Sequence, residues 1–346
     1  MERDPSATRV LVTGATGFIA GHCILQLLQQ GYCVRGTLRT MARAPQVRAA
    51  LEAQGQSVER LEIVWADLLQ DAGWPEAASD CDFVLHLAMP LPQRRPKHED
   101  ELIVPAREGT LRVLRAAVGA GVRRVVLCSS LAAVGLGHRT PGKVFTEADW
   151  SRLDRPIGPY PRAKTVAERA AWDFVTGPEN TSHLELAVMH PGDVLGPLLD
   201  RGQHISANAI LGCMGKGAVG VPRLSMPVVD VRDVATAHLA AMLVPEAAGQ
   251  RFCCSAATVT MQDIALILRR AFAGRGYRII SWTLPDPVVR LAGRFMPGVW
   301  AIVPRLGAPP FDVSTEHITT VLGWQPRSVE EAVISMAESM VRLGLL

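Results

Sequence analysis

The sequence predicts an α/β protein in which a doubly wound parallel sheet is joined by a smaller C-terminal lobe. Three observations predict this fold. A glycine-rich turn follows the first short apolar run, β-branched runs then alternate with amphipathic segments through the first half of the chain, and this alternation weakens after about residue 190, where Pro and Gly become frequent. The 346 residues, 48% of them hydrophobic, are enough to build two lobes with sizeable cores.

Periodicity places the individual strands and helices of the first half. Short runs rich in β-branched residues predict strands at 9–12, 33–38, 61–65, 83–87, 125–128 and 184–189, and helical spacing predicts helices at about 17–30, 104–120 and 160–174. Two later segments, 228–242 and 251–254, have the pattern of returns to the sheet. We therefore expect the sheet domain to comprise residues 1–192 with about 227–256, and the smaller lobe about 193–226 with 257–346.

Charge and cysteine content exclude several classes of function. The net charge of +3 arises from 36 basic and 33 acidic side chains mixed along the chain, so we expect no nucleic-acid partner. The N-terminus has no apolar leader, and the apolar stretch 295–304 is too short for a bilayer and is interrupted by Pro297 and Gly298, so we expect no membrane association. Seven cysteines without a CxxC pair predict a reduced, cytoplasmic protein.

A glycine-rich segment, TGATGFIAG at residues 13–21, links the first strand to the first helix. Gly14 and Gly17 allow a tight turn and the close approach of a pyrophosphate, and the helix N-terminus offers free N–H groups to it. In isolation the segment is equally well interpreted as a simple strand-to-helix turn. Its place in a strand–helix–strand unit favours a Rossmann dinucleotide site, with contacts from Gly14, Thr16, Gly17, Phe18 and Ile19.

The end of the second strand predicts which dinucleotide is bound. An acid there would bind the ribose 2′-hydroxyl of NAD, but no carboxylate occurs between Asp4 and Glu52, and the strand ends at Arg39 with Arg43 nearby. A guanidinium suits the 2′-phosphate of NADP(H), although solvated surface arginines are the simpler interpretation. We predict NADP(H), with further cofactor contacts where the third and fourth strands end, at Asp67, Leu68, Leu87, Ala88 and Met89.

Two segments predict the catalytic groups. Tyr160 and Lys164 are four residues apart, which places a phenol and an ammonium on one helix face. The cation favours the phenolate, which makes the tyrosine a better proton shuttle, and both side chains are expected to contact the cofactor as well. Ser129 and Ser130 end the strand that begins at Val125 and bring a hydroxyl to the ligand edge of the sheet. A surface helix and a serine-capped turn are the structural alternatives.

Other polar residues are assigned structural roles. His86 lies within an apolar strand and is expected to be a satisfied core histidine, and His190 precedes a Pro-Gly turn. Asp230 and Asp233 bracket the start of a helix and are expected to cap it. No zinc-ligand spacing occurs, so we predict no metal.

Taken together, TGATGFIAG, the CSS strand end, YPRAK and MHPGDVLGP resemble the extended short-chain dehydrogenase/reductase family. EGTLRVL, VDVRDVATAH and LGWQPRSVEEA resemble its dihydroflavonol-4-reductase-like branch, which includes aldehyde and ketone reductases. The resemblance implies an NADPH-dependent reductase of a small-molecule carbonyl, reversible in direction, with an NADP-binding Rossmann domain and a substrate-binding C-terminal lobe. It also implies that Ser130 is the catalytic serine and that Pro191, Val194 and Ser206 contact the cofactor.

One departure and several alternatives bear on the substrate. Plant flavonoid reductases have an asparagine five residues after the catalytic serine, whereas this chain has Gly135, so a dihydroflavonol is not expected. Alternatives within the family are a hydroxysteroid dehydrogenase and a nucleotide-sugar epimerase, and Arg39 disfavours the epimerase. A non-catalytic NADP-sensing regulator is the alternative from another class, and it would need neither Tyr160 nor Lys164. The sequence leaves open whether the protein is a monomer or a homodimer.

Overall fold

The computed structural model describes residues 4–90, 96–138, 140, 142–202, 205–215, 219–295, 299, 302–307 and 311–346. Pro297 and Gly298, which interrupt the apolar stretch near residue 300, lie outside them. The strands are β1 Arg9–Val12, β2 Cys33–Leu38, β3 Leu61–Trp65, β4 Phe83–His86, β5 Arg124–Cys128, β6 Val144–Phe145, β7 Glu185–Pro191, β8 Asp193–Leu195, β9 Ser225–Asp230, β10 Arg251–Cys254, β11 Ala257–Thr260 and β12 Asp312–Val313.

The described helices alternate with the strands in the first half of the chain and cluster in the second. They are α1 Phe18–Gln29, α2 Ala44–Glu52, α3 Trp74–Ala78, α4 Asp100–Gly119, α5 Pro159–Thr176, α6 Asn208–Met214, α7 Val231–Leu243, α8 Met261–Ala271, α9 Asp286–Ala292, α10 Glu316–Leu322 and α11 Val329–Arg342. Among the described residues, none of these helices is both long and apolar enough to cross a membrane.

The main sheet has seven parallel strands in the order β3-β2-β1-β4-β5-β7-β10. This order reverses between β1 and β4, which is the point where ligands bind in doubly wound sheets. The predicted fold class is therefore confirmed. Side chains alternate along β1, because Val10 and Val12 pack toward α1 and α7 while Leu11 packs toward α3 and α4 on the opposite face.

A second core lies outside the main sheet. β8, β9 and β11 form a three-stranded sheet in which β8 and β9 are parallel and β9 and β11 antiparallel. Buried side chains of α6, α8 and α11 pack together with this sheet. A capping box formed by Thr260 and Asp263 fixes the start of α8, with the Thr260 Oγ1 accepting a 3.1 Å hydrogen bond from the Asp263 amide.

The structure corrects one expectation about strand pairing. Residues 228–242 were expected to return to the main sheet, but β9 pairs with β8 and β11 instead, and only the following helix, α7, packs against the main sheet. Residues 251–254 do return as β10, the outermost strand beside β7. The reason is that a buried apolar strand can pair within either sheet, so the local sequence pattern does not specify which strands lie next to it. The division of the chain into two domains stays a prediction.

Candidate active site

The predicted cofactor residues follow the carboxyl ends of successive parallel strands. The carboxyl edge of such a sheet is where ligands bind, because the loops and helix N-termini there surround a crevice. The residues at this edge are Gly14, Thr16, Gly17, Phe18 and Ile19 after β1, Arg39 after β2, Asp67 and Leu68 after β3, Leu87, Ala88 and Met89 after β4, and Pro191 at the end of β7. Val194 follows in β8, which belongs to the three-stranded sheet. Ser206 lies farther along, in the short helical turn before α6.

The turn after β1 has the shape that a pyrophosphate requires. Gly14 has a φ of +71°, and a Cβ there would lie 3.0 Å from the Cβ of Ala88, so both the backbone and the space require glycine. Gly17 is the N-cap of α1 and brings no capping side chain, so the first amides of the helix keep their hydrogen-bonding capacity. These features fit a bound phosphate at the N-terminus of α1.

Thr13, which sequence reasoning left unassigned, ties the glycine turn to β4. Its Oγ1 accepts 2.9 Å hydrogen bonds from the amides of both Leu87 and Ala88, so its own proton is donated to Nδ1 of His86, also at 2.9 Å. Burial and the charge of Lys164 lower the pKa of His86 to about 3, so the ring is neutral. His86 is thus a satisfied core histidine.

The adenosine end of the predicted site carries free polar groups. Arg39 is exposed and has no hydrogen-bond or ion-pair partner among the described residues, and Arg43 donates a 3.3 Å hydrogen bond to Gln46. Asp67 accepts a hydrogen bond from the Leu69 amide with one carboxylate oxygen, which leaves the other available. The guanidinium of Arg39 is therefore available to pair with a 2′-phosphate.

The predicted catalytic residues lie in α5 and just after the end of β5. Tyr160 lies in the first turn of α5 and is 37% exposed, so its hydroxyl can reach a ligand in the crevice. One turn later, the Lys164 ammonium donates a 2.8 Å hydrogen bond to the carbonyl oxygen of Cys128, two residues before Ser130. Ser130 caps the following turn by accepting a 3.1 Å hydrogen bond from Ala132, and its hydroxyl proton remains available. The phenol and the ammonium thus lie one turn apart on α5, and the ammonium is bound to the end of the strand that Ser130 follows.

A buried carboxylate that sequence reasoning missed connects these elements. Glu168 is buried in α5, one turn beyond Lys164, and accepts hydrogen bonds from Ser129 Oγ at 2.5 Å, His190 Nε2 at 2.8 Å and Arg251 Nε at 2.7 Å. Burial alone would raise the pKa of Glu168, but the three partners outweigh it and hold the pKa at about 2. The spacing of Lys164 and Glu168 on one helix face was the available sequence signal.

Arg251 extends this network to the loop that leads into α5. Its Nη1 donates to the carbonyl oxygens of Glu147 and Asp149, and its guanidinium lies 3.8 Å from the ring centroid of Trp150. Glu168 therefore joins α5 to β7, to β10 and to the residue that follows β5, through side chains that have little access to water. We interpret Glu168 as a positioning residue, because its partner Ser129 directly precedes Ser130.

This network predicts different effects for the two adjacent serines. We predict that the Ser130 hydroxyl donates a hydrogen bond to the reacting carbonyl oxygen, so Ser130→Ala should lower kcat by about 10²-fold or more, as expected for a lost transition-state hydrogen bond. Ser129 donates to Glu168, so Ser129→Ala should reduce kcat less and should lower the free energy of unfolding by about 1 kcal/mol. Steady-state kinetics and urea unfolding of both variants test this. A larger loss of kcat in Ser129→Ala than in Ser130→Ala would show that Ser129, and not Ser130, is the catalytic serine.

An aromatic contact explains the glycine at position 135. A Cβ at Gly135 would overlap the ring of Phe311, which comes from the C-terminal part of the chain. The Phe311 ring is also stacked on Phe145, with ring centroids 4.9 Å apart. The space that an asparagine would occupy in plant flavonoid reductases is therefore filled by Phe311. Within the described residues, no group of three His, Cys, Asp or Glu side chains is placed to hold a metal ion.

The sequence profile of the NAD dependent epimerase/dehydratase family matches residues 10–253. The chain belongs to this family. The match runs from β1 to β10 and includes all but the first and last residues of the seven-stranded sheet, with the glycine turn, Ser130, Tyr160 and Lys164. Within the NAD-dependent epimerase/dehydratase family, the relatives and structures below confirm the predicted extended short-chain dehydrogenase/reductase class and its dihydroflavonol-reductase-like branch.

Two curated relatives and one solved structure illustrate the similarity. Cinnamoyl-CoA reductase CAD2 of Medicago truncatula is 35% identical over 271 residues, which cover 76% of this chain and 80% of the relative. Tetraketide alpha-pyrone reductase 1 of Arabidopsis thaliana is 29% identical over 349 residues, which cover 99% and 98% of the two chains. The crystal structure of yeast methylglyoxal/isovaleraldehyde reductase Gre2 complexed with NADPH is 26% identical, has a TM-score of 0.79, and is matched over 97% of this chain and 99% of that one.

Proposed function

We propose that this protein uses NADPH to reduce the carbonyl group of a small-molecule aldehyde or ketone, and that Tyr160, Ser130 and Lys164 carry out the reaction. The observation that carries the proposal is the placement of α5 against the end of β5. The Lys164 ammonium is bound to the Cys128 carbonyl oxygen, one helical turn from an accessible phenol and two residues from an accessible serine hydroxyl. Carbonyl reduction requires a proton donor, a hydrogen-bond donor to the carbonyl oxygen and a nearby positive charge, and these three groups supply them.

Two statements that are less specific than this proposal are confirmed, namely the class of activity and the identity of the cofactor. The chain is an NADP-dependent oxidoreductase, because the relatives are named as reductases and the structural neighbour Gre2 was solved with NADPH. The residues of this chain fit that cofactor. Gly14 forms the tight turn before the N-terminus of α1, where a pyrophosphate is expected, and Arg39, which has no partner among the described residues, lies where a 2′-phosphate is expected.

The proposed mechanism divides the reduction among three side chains. Bound NADPH supplies a hydride to the carbonyl carbon. The Tyr160 hydroxyl donates its proton to the carbonyl oxygen, and the Ser130 hydroxyl donates a hydrogen bond to the same oxygen as negative charge develops there. The Lys164 ammonium stabilises the phenolate that remains after the proton leaves. In the reverse direction, Tyr160 accepts the proton of an alcohol.

The unpaired state of Arg39 predicts the cofactor preference. Arg39→Asp should lower kcat/KM for NADPH by about 10- to 100-fold, because it removes a charge-assisted contact to the 2′-phosphate and adds a repelling charge. The value for NADH should change little. Arg270→Asp, at an exposed position in α8, is the control and should leave both values unchanged. Equal efficiency of the unaltered protein with NADPH and NADH would remove the basis for this assignment.

A panel of carbonyl compounds tests the proposed reaction itself. NADPH oxidation is followed with aldehydes, diketones, steroids and cyclic ketones, and the organic product is identified by mass spectrometry. We expect at least one aldehyde or ketone to be converted to its alcohol in a one-to-one ratio with the NADPH consumed. Turnover of steroids alone would favour the hydroxysteroid dehydrogenase alternative, and binding of NADPH without any turnover would favour the regulator.

A further inference from the structure

An ion pair near the active site is not used by the mechanism described so far. Arg305 belongs to the short helical turn Val303–Arg305, and its Nη1 and Nη2 donate to the two carboxylate oxygens of Asp193 at 3.1 and 2.8 Å. Nη2 also lies 3.4 Å from the carbonyl oxygen of Ser225. The side chains of Arg305 and Asp193 are 31% and 32% exposed, so the pair is accessible to a ligand.

The position of this pair connects it to the reaction. Asp193 begins β8, two residues after Pro191 ends β7 at the ligand edge of the main sheet. Burial lowers the pKa of Arg305, but Asp193 and the Tyr160 phenol act in the opposite direction and raise it overall. The guanidinium is therefore within electrostatic reach of the hydroxyl that protonates the carbonyl oxygen. Because Asp193 holds Arg305 at this edge, a substrate bound there would lie near the guanidinium.

The chemistry of the pair determines which group it can bind. A guanidinium has five N–H donors, of which two bond Asp193 and a third faces Ser225. The Nε–H and the second Nη1–H have no partner among the described residues. Because the Asp193 carboxylate neutralises the guanidinium, these donors attract an uncharged oxygen, whereas Asp193 would repel a nearby carboxylate.

We propose that Arg305, held in place by Asp193, is a specificity residue that donates hydrogen bonds to a second, uncharged oxygen of the substrate. The preferred substrates are therefore neutral dicarbonyl compounds, diketones and 3-oxo esters, with one carbonyl at Tyr160 and the other oxygen at Arg305. This inference rests on the proposed carbonyl reduction and narrows its substrate class. A purely structural role for the pair would leave the choice between substrates unchanged.

Two substrates of matched chain length distinguish these roles. Ethyl acetoacetate has a second carbonyl oxygen, whereas 2-heptanone lacks it. We expect the unaltered protein to prefer ethyl acetoacetate, and Arg305→Met to lower kcat/KM for ethyl acetoacetate by about 10- to 100-fold while changing the value for 2-heptanone by less than about threefold. Arg232→Met is the matched control, because Arg232 forms a similar two-bond pair with Asp230 and should not alter the ratio.

A second variant covers the possibility that an unpaired Asp193 weakens the fold. The double variant Asp193→Asn with Arg305→Met removes both charges and should show the same loss of preference for ethyl acetoacetate. If both variants keep the ratio of the unaltered protein, or if the unaltered protein prefers 2-heptanone, the specificity role is overturned while carbonyl reduction stands. If the unaltered protein oxidises NADPH with neither compound but only with panel carbonyls that lack a second uncharged oxygen, the substrate class is overturned in the same way.

Discussion

Tyr160→Phe should lose about 10²- to 10⁴-fold in kcat while binding NADPH almost as tightly as the unaltered protein. The substitution removes the hydroxyl that donates the proton and keeps the ring. Because Tyr160 is exposed in the first turn of α5, the fold should lose no buried contact. Steady-state kinetics give kcat, and quenching of protein fluorescence by NADPH gives the Kd. Loss of kcat with an unchanged Kd separates proton donation from cofactor binding.

The same chemical change elsewhere in the chain is the control for this prediction. Tyr277 packs edge-to-face on Phe272 in the second core, with ring centroids 5.6 Å apart. Tyr277→Phe should therefore leave kcat within about twofold of the unaltered value, because surface and partly buried changes away from a site have small effects. If Tyr160→Phe were equally mild, Tyr160 could not be the proton donor.

Glu168→Gln should lower the free energy of unfolding by about 3–5 kcal/mol at neutral pH, the range measured when one partner of a buried ion pair is removed. The change removes the charge opposite Arg251, whose side chain is only 10% exposed, and it weakens the contacts to Ser129 and His190. Since the carboxylate joins α5 to β5, kcat should also fall. Urea unfolding and steady-state kinetics measure the two effects.

The stabilisation that Glu168 provides should decrease in acid. The pKa of Glu168 in the folded protein is about 2, below the ordinary 4.5, so its stabilising contribution is fully present above about pH 4.5 and is lost as the pH falls toward 2. The difference in unfolding free energy between the unaltered protein and Glu168→Gln should be constant from about pH 7 to 5 and should narrow below that.

A surface pair provides the comparison for Glu168. Glu179 pairs with Arg115 at 3.0 Å, and both side chains are about half exposed, at 57% and 49%. Glu179→Gln should therefore cost less than about 1 kcal/mol at every pH. A cost below about 1 kcal/mol for Glu168→Gln as well would mean that the buried network does not hold α5 in place.

Local features of the sequence were sufficient to predict the fold, and they are also the basis of the predicted site. The glycine turn, Arg39 and the YPRAK segment each combine a backbone requirement with a chemical one within a few residues, so no tertiary information was needed. The seven-stranded sheet followed from the alternation of strands and helices. The roles of the individual site residues stay predictions for the variants described above.

The remaining features depend on residues that are distant in sequence. Glu168 and Arg251 are 83 positions apart, and Asp193 and Arg305 are 112 positions apart. Likewise, the ring of Phe311 leaves space only for a glycine at position 135, and no local sequence pattern links these two residues. Such contacts arise only when the sheet brings separate segments to one edge, and charged or apolar residues at those positions have many equally good surface or core interpretations.

Transfer of deuterium tests the central claim most directly. The unaltered protein is incubated with NADPH that carries deuterium at both C4 positions and with each carbonyl of the panel, and the product alcohol is analysed by mass spectrometry. We predict one deuterium on the carbinol carbon of the product, formed at a rate that Tyr160→Phe reduces by about 10²- to 10⁴-fold. Tight binding of NADPH without deuterium in any product would contradict the account and would favour a non-catalytic regulator.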